Sequence, residues 1–164
     1  MFITKEINEA GIYAVNFWIG GEKKVVVVDD YFPYDDATDH FAFSRPAEGN
    51  EIWVLIIEKA WAKVYGSYSR IEIGDCGEAM GPLTGCPTAT VEFKTYKNKD
   101  NLWKLLTWAD KQGFPMCCAA NTAEEEGDVE AEALKESGLV DAHAYTLIGC
   151  KEITCDNGKK ERLL

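Results

Sequence analysis

One stretch limits the possible folds more than any other. Trp53, Ile56, Ile57, Ala60, Trp61 and Val64 recur at three- and four-residue spacing, which lines them along one side of an α-helix. Asn50 stands where an N-cap belongs and Gly66 where such a helix stops, leaving Glu58, Lys59 and Lys63 for the wet side. An apolar stripe of this size needs a partner surface. Upstream, Ile12 to Ile19 is β-branched and aromatic, Gly20-Gly21 follows, and Val25 to Val28 comes next. That pattern predicts a hairpin whose second strand is buried on both faces. Asp29-Asp30 and Pro33 end it, and residues 34–50 are rich in turn formers.

Beyond Gly66 the chain changes character. Gly74, Gly77, Gly81, Pro82, Gly85 and Pro87 crowd into one stretch, a density that lets backbone bend sharply or approach another group closely. Two readings fit: a long surface loop, or a substrate-lining loop at a lobe boundary. Asp100 is expected to cap a helix over 101–112, with Leu102, Leu105, Leu106 and Ala109 on its apolar side and Gly113 after it. Residues 114–120 read as a strand. Thr122 and Glu125 match a capping box, but Gly127 weakens it, and the acid-rich stretch 124–136 is assigned to an exposed loop. Ala142 to Cys150 reads as a final strand. Its alternation puts His143, Tyr145 and Leu147 on one face and Ala144, Thr146 and Ile148 on the other. The polar tail carries a turn signal at Asn157-Gly158.

Charge removes several function classes. Lys and Arg number 17 against 28 Asp and Glu, a net charge of −11. Such a chain repels phosphate backbones and anionic lipid surfaces, so nucleic acid is not an expected partner. The longest apolar run, Ile52 to Ile57, is far too short to span a bilayer. Met1-Phe2-Ile3-Thr4-Lys5-Glu6 leads into polar residues rather than an apolar leader. The six cysteines, Cys76, Cys86, Cys117, Cys118, Cys150 and Cys155, form no CxxC pair. A cytoplasmic protein with reduced thiols is expected. Only His40 and His143 are histidines, and a lone histidine on an apolar strand is ordinarily structural.

Three segments together alter that reading of His143. The first is Val27-Val28-Asp29-Asp30-Tyr31-Phe32-Pro33. The second runs from Ser44-Arg45-Pro46 through Glu51-Ile52-Trp53 and Glu58-Lys59-Ala60-Trp61-Ala62-Lys63 to Tyr68. The third is Gly138 to Thr146, containing His143-Ala144-Tyr145. In order and spacing they resemble the protease core of the calpain family, from about Gly11 to the tail. The central helix segment is the most distinctive of the three; His-Ala-Tyr alone would be weak.

The resemblance implies an α+β, papain-like cysteine protease core. The fragment would span the end of the first lobe, residues 1–86, and the start of a second, antiparallel β lobe, residues 87–164. It implies calcium-dependent cysteine endopeptidase chemistry on protein substrates, with His143 as general base. Gly74 would line the substrate cleft. Ala142, where the family has glycine, would crowd that cleft by one methyl group. Glu51 matches a glutamate that helps bind calcium in the first lobe. The resemblance also places the nucleophilic cysteine upstream of the first hairpin and the orienting asparagine beyond Leu164. The chain by itself is therefore expected to be inactive, with part of the helix face after Asn50 uncovered. A catalytically dead calpain-like module that binds a partner protein stays open as the alternative, and an unrelated acidic binding module is the third reading. His40 gains nothing from the resemblance.

Overall fold

The computed structural model describes residues 1–46, 51–120, 136–140 and 142–164. They form helices and four two-stranded antiparallel ladders, an α+β architecture. The chain divides into two compact units, Met1–Thr90 and Val91–Leu164. Asn50, the capping box at Thr122 and the acidic stretch 124–135 lie outside the described residues.

The first unit is built on the expected hairpin. β1 (Ile12–Ile19) pairs with β2 (Glu22–Asp29) from Ile19↔Glu22 to Ile12↔Asp29. Gly20 and Gly21 both hold positive φ, 62° and 81°, as the tightest two-residue hairpin turn requires. Tyr13, Val15 and Phe17 of β1 share the buried face with Val26 and Val28 of β2. α1 (Trp53–Tyr65) lays Ile56 and Ala60 on that face. Phe17 and Trp61 meet with ring centroids 5.4 Å apart. Phe17, Val15 and Ile56 are at most 1% exposed, and burying each such side chain contributes about 1.5–3 kcal/mol. The N-terminal segment adds to the other edge of β1 through the Phe2↔Val15 bridge.

Several expectations need correction here. β2 is covered on one face only: Val25 is 59% and Val27 45% exposed, because α1 packs on one side of a two-stranded ladder. The α1 face is partly uncovered, as expected: the hairpin covers Ile56 and Ala60, while Trp53 remains 52% exposed. α1 begins after Ile52 without a side-chain cap and ends at Gly66, φ 100°. The polar side of α1 is not simply wet. Glu58 accepts hydrogen bonds from the amide and hydroxyl of Ser44. Lys59 donates to the Asp29 carboxylate and the Tyr31 carbonyl. Lys63 donates to the Val27 carbonyl at 2.7 Å.

The glycine-rich stretch also folds. A 3-10 turn covers Tyr68–Ile71, and α2 runs from Cys76 to Thr84. Asp75 caps α2 by accepting from the Gly77 amide, and Gly85 closes it at φ 75°. Gly85 also sits under Trp18: a Cβ there would lie 2.5 Å from the indole Nε1. The glycines thus serve a helix end and a close approach, which glycine density alone does not distinguish from a loop. Between β2 and α1, β3 (Tyr34–Asp35) and β4 (His40–Phe41) make a minimal ladder.

In the second unit, α3 (Lys99–Lys111) is capped by Asn98, not Asp100: the Asn98 side chain accepts from the Asp100 amide. β5 (Met116–Ala120) pairs with β6 (His143–Leu147). The polar tail forms a further hairpin, β7 (Lys151–Thr154) and β8 (Lys160–Leu163). Arg162 of β8 reaches α3, pairing with Asp100 at 2.7 Å and lying 5.3 Å from the Trp103 ring centroid. Among the described residues of this unit, only Ala109 and Leu147 are buried hydrophobics.

Candidate active site

His143 opens β6 at its exposed end. The register runs Ala120↔His143, Cys118↔Tyr145 and Met116↔Leu147, and directly opposed residues of an antiparallel pair share a face. Burial rises along that face, from exposed His143 through half-buried Tyr145 to Leu147, 8% exposed. The imidazole is therefore solvent-accessible on a strand whose far end is anchored. The Tyr145 ring meets the imidazole edge-on, with centroids 5.0 Å apart at 79°. The Tyr145 hydroxyl accepts a hydrogen bond from the Val140 amide at 2.8 Å. Ala142, the residue before His143, holds φ 49°, a left-handed conformation costly for a residue with a Cβ.

Sequence reasoning found the shared face but not the tie between Tyr145 and Val140, nor the strain at Ala142. The available signals were a tyrosine two residues from the histidine and an alanine where the resemblance implies glycine.

The cysteines divide by environment. Cys118 lies one diagonal step from His143 on the same face of the ladder. Cys150 follows β6, and its amide donates to the Asp110 carboxylate at 3.0 Å. Burial, and then the Asp110 charge, push the Cys150 thiol above its ordinary value. That thiol stays protonated at neutral pH and is not an activated nucleophile. Cys76 begins α2, and Cys86 is exposed just beyond it.

Glu51 and Gly74 belong to the first unit. Glu51 is exposed, and its carboxylate accepts from the Trp53 indole at 3.3 Å. Calcium takes six to eight oxygens, and among the described residues no group of three or more His, Cys, Asp or Glu is arranged to hold a metal ion. The described residues therefore do not by themselves fit the ion. Gly74 is exposed between the 3-10 turn and α2, beside Ile73, which is 91% exposed. A Cβ at Gly74 would meet only Glu78 Oε2, at 3.9 Å, so nothing within its own unit demands glycine there.

A groove of about 500 Å³ lies between β2 and α1, lined by Val27, Asp29, Lys59, Lys63 and Tyr68 among others. Neither His143, Ala142, Glu51 nor Gly74 lines it. Its cations are already engaged by protein acceptors. The Lys59 hydrogen bond, with that of the Tyr31 amide, holds Asp29 below the usual carboxylate range. Burial, with the charges of Glu58 and Asp29, pushes Tyr68 up to about 12.

Comparison with known proteins decides the family. The model of the calpain family of cysteine proteases matches residues 2–164. The chain belongs to the calpain family. It is 34% identical over 157 residues to the human calpain-2 catalytic subunit, covering 96% of this chain and 21% of that protein. Human calpain-9 is 34% identical over 145 residues, covering 88% of this chain and 20% of calpain-9. The calpain-type cysteine protease ADL1 of Oryza sativa subsp. japonica is 33% identical over 158 residues, covering 93% of this chain and 7% of the rice protein. The chain thus spans about a fifth of the human calpains and far less of the plant one. Among the described residues, no helix of this calpain-family chain is long and apolar enough to cross a membrane.

Proposed function

We propose that the chain is part of the papain-like catalytic core of a calpain-type cysteine endopeptidase, with His143 as the general base. The observation that carries this reading is the exposed imidazole at the open end of β6, in a chain matched by the calpain family model almost end to end. The imidazole takes the proton of a cysteine thiol, and the thiolate attacks a peptide carbonyl. The imidazolium then protonates the departing amine. His143 next draws a proton from water, which releases the acyl group and restores the thiol. Residues 1–86 would be the end of the first lobe and residues 87–164 the start of the second. Gly74 and Ala142 would line the substrate path. The chain contains no Cys-Trp pair, the nucleophile signature of the family, so the 164 residues alone are proposed to be inactive. Calcium dependence would enter through Glu51 together with oxygens from other parts of a longer polypeptide. The setting is proposed to be cytoplasmic, with protein substrates.

The test is a peptidase assay of the natural polypeptide, isolated from its source, with calcium and with a chelator. His143→Ala should lower turnover by roughly a thousandfold or more. Glu51→Ala should blunt the calcium response alone. Activity that survives His143→Ala would remove the general-base assignment. The alternative reading is a catalytically dead calpain-like module that binds a partner protein. Absence of any turnover in the natural polypeptide would select it.

A further inference from the structure

We propose that Tyr145 is a positioning residue for His143, joining the imidazole to the backbone of the approach segment through one side chain. This rests on the general-base reading of His143 given above. Two independent contacts carry it. The Tyr145 ring lies edge-on to the imidazole, with centroids 5.0 Å apart at 79°. That geometry limits rotation of an otherwise exposed ring and is favourable for aromatic pairs. The Tyr145 hydroxyl accepts the Val140 amide proton at 2.8 Å. Val140 lies three residues before His143, beyond Ala142, whose φ of 49° is strained for alanine.

A strained left-handed residue persists only where its surroundings hold it, and the Tyr145 hydroxyl supplies one such hold. The ladder explains why one residue can do both jobs. Tyr145 and His143 are two positions apart on β6 and point to the same face. Tyr145 is half-buried where His143 is exposed. It is therefore an anchored side chain on that face from which the imidazole can be steadied. A general base must stand within about 3 Å of the proton that it takes, so freedom at His143 reduces turnover without weakening substrate binding.

Two variants separate the contacts. Tyr145→Phe keeps the ring and loses the hydroxyl; Tyr145→Leu loses both. In the natural polypeptide, Tyr145→Phe should lower kcat about fivefold, the equivalent of one neutral hydrogen bond, with KM unchanged. Tyr145→Leu should lower kcat further, again with KM unchanged. In the 164-residue chain, Tyr145→Phe should speed hydrogen exchange at the Val140 amide. Tyr145→Leu should shift the His143 ring protons, which lose the ring current of a neighbouring aromatic group. Wild-type kcat in both variants, beside a His143→Ala variant that has lost turnover, overturns the positioning role and leaves the general-base reading standing. Full turnover in His143→Ala overturns the general-base reading and this inference with it. Unmoved His143 ring protons in a folded Tyr145→Leu protein also overturn the inference, whatever the kinetics.

Discussion

Ala142 combines a left-handed backbone with a side chain, at φ 49°. The left-handed conformation costs an L-residue about 1–2 kcal/mol, which glycine avoids. Glycine returns part of that gain through its freer unfolded chain. Ala142→Gly should therefore raise unfolding stability by up to about 1 kcal/mol, read as a higher urea midpoint at unchanged slope. A lower midpoint would show that the methyl group packs usefully. Tyr68 makes a second prediction. Its hydroxyl is held at about 12, above its ordinary 10.0, by burial and by Glu58 and Asp29. The folded protein therefore keeps this proton more tightly than the unfolded chain does. The stabilisation is complete below the unfolded value and is lost as pH rises through the folded one. Stability should fall between about pH 10 and 12, and Tyr68→Phe should flatten that fall. At this scale the alternation in the sequence already puts His143, Tyr145 and Leu147 on one face of β6. It could not report the strain at Ala142, because a backbone angle is set by the turn and not by the residue name.

Hairpin and helix illustrate how an element can be legible while its surroundings are not. Alternation in β1, the Gly20-Gly21 turn and the spacing of α1 all state their own local geometry, and the structure follows them. How many layers cover β2 depends on what else packs there, and four consecutive valines read alike in a central strand and in an edge strand with one bare face. α2 was illegible for a related reason: Gly77, Gly81 and Pro82 are poor helix formers, and the Asp75 cap and the packing of Gly85 against Trp18 offset them. The open edge of β2 carries a prediction. Val27 faces Ala14, whose carbonyl accepts from Ile3 and Thr4 and whose amide donates to the Thr4 hydroxyl. Val27 therefore turns its own polar groups away from β1. Lys63 occupies its carbonyl at 2.7 Å, the kind of charged guard that keeps strand edges from pairing with other chains. Lys63→Met keeps the stem and removes the ammonium group. It should produce concentration-dependent association in sedimentation velocity, and a strictly monomeric variant would show that the guard is dispensable.

Across the whole molecule, hydrophobic burial is uneven. The buried core cluster of Tyr13, Val15, Phe17, Val26, Val28, Ile56 and Ala60 lies within the first unit. Among the described residues, the second unit buries only Ala109 and Leu147, and it relies on polar ties such as Arg162–Asp100 and Asp110 with the Cys150 amide. Local opening costs least where apolar burial is thinnest. Amides of β1, β2 and α1 should therefore outlast those of β5 and β6 in native-state hydrogen exchange. Equal protection in both units would contradict this. Composition shows that apolar side chains suffice for a core but not how they are shared between two units, because that division follows from contacts distant in sequence. For His143 the division has a thermal consequence. If His143 is the base proposed above, then, on the unit whose described residues bury less apolar surface, it should lose its geometry on warming while the hairpin and α1 remain intact. A peptidase that uses His143 as proposed above should therefore stop turning over several degrees below its main melting transition, and should recover when cooled.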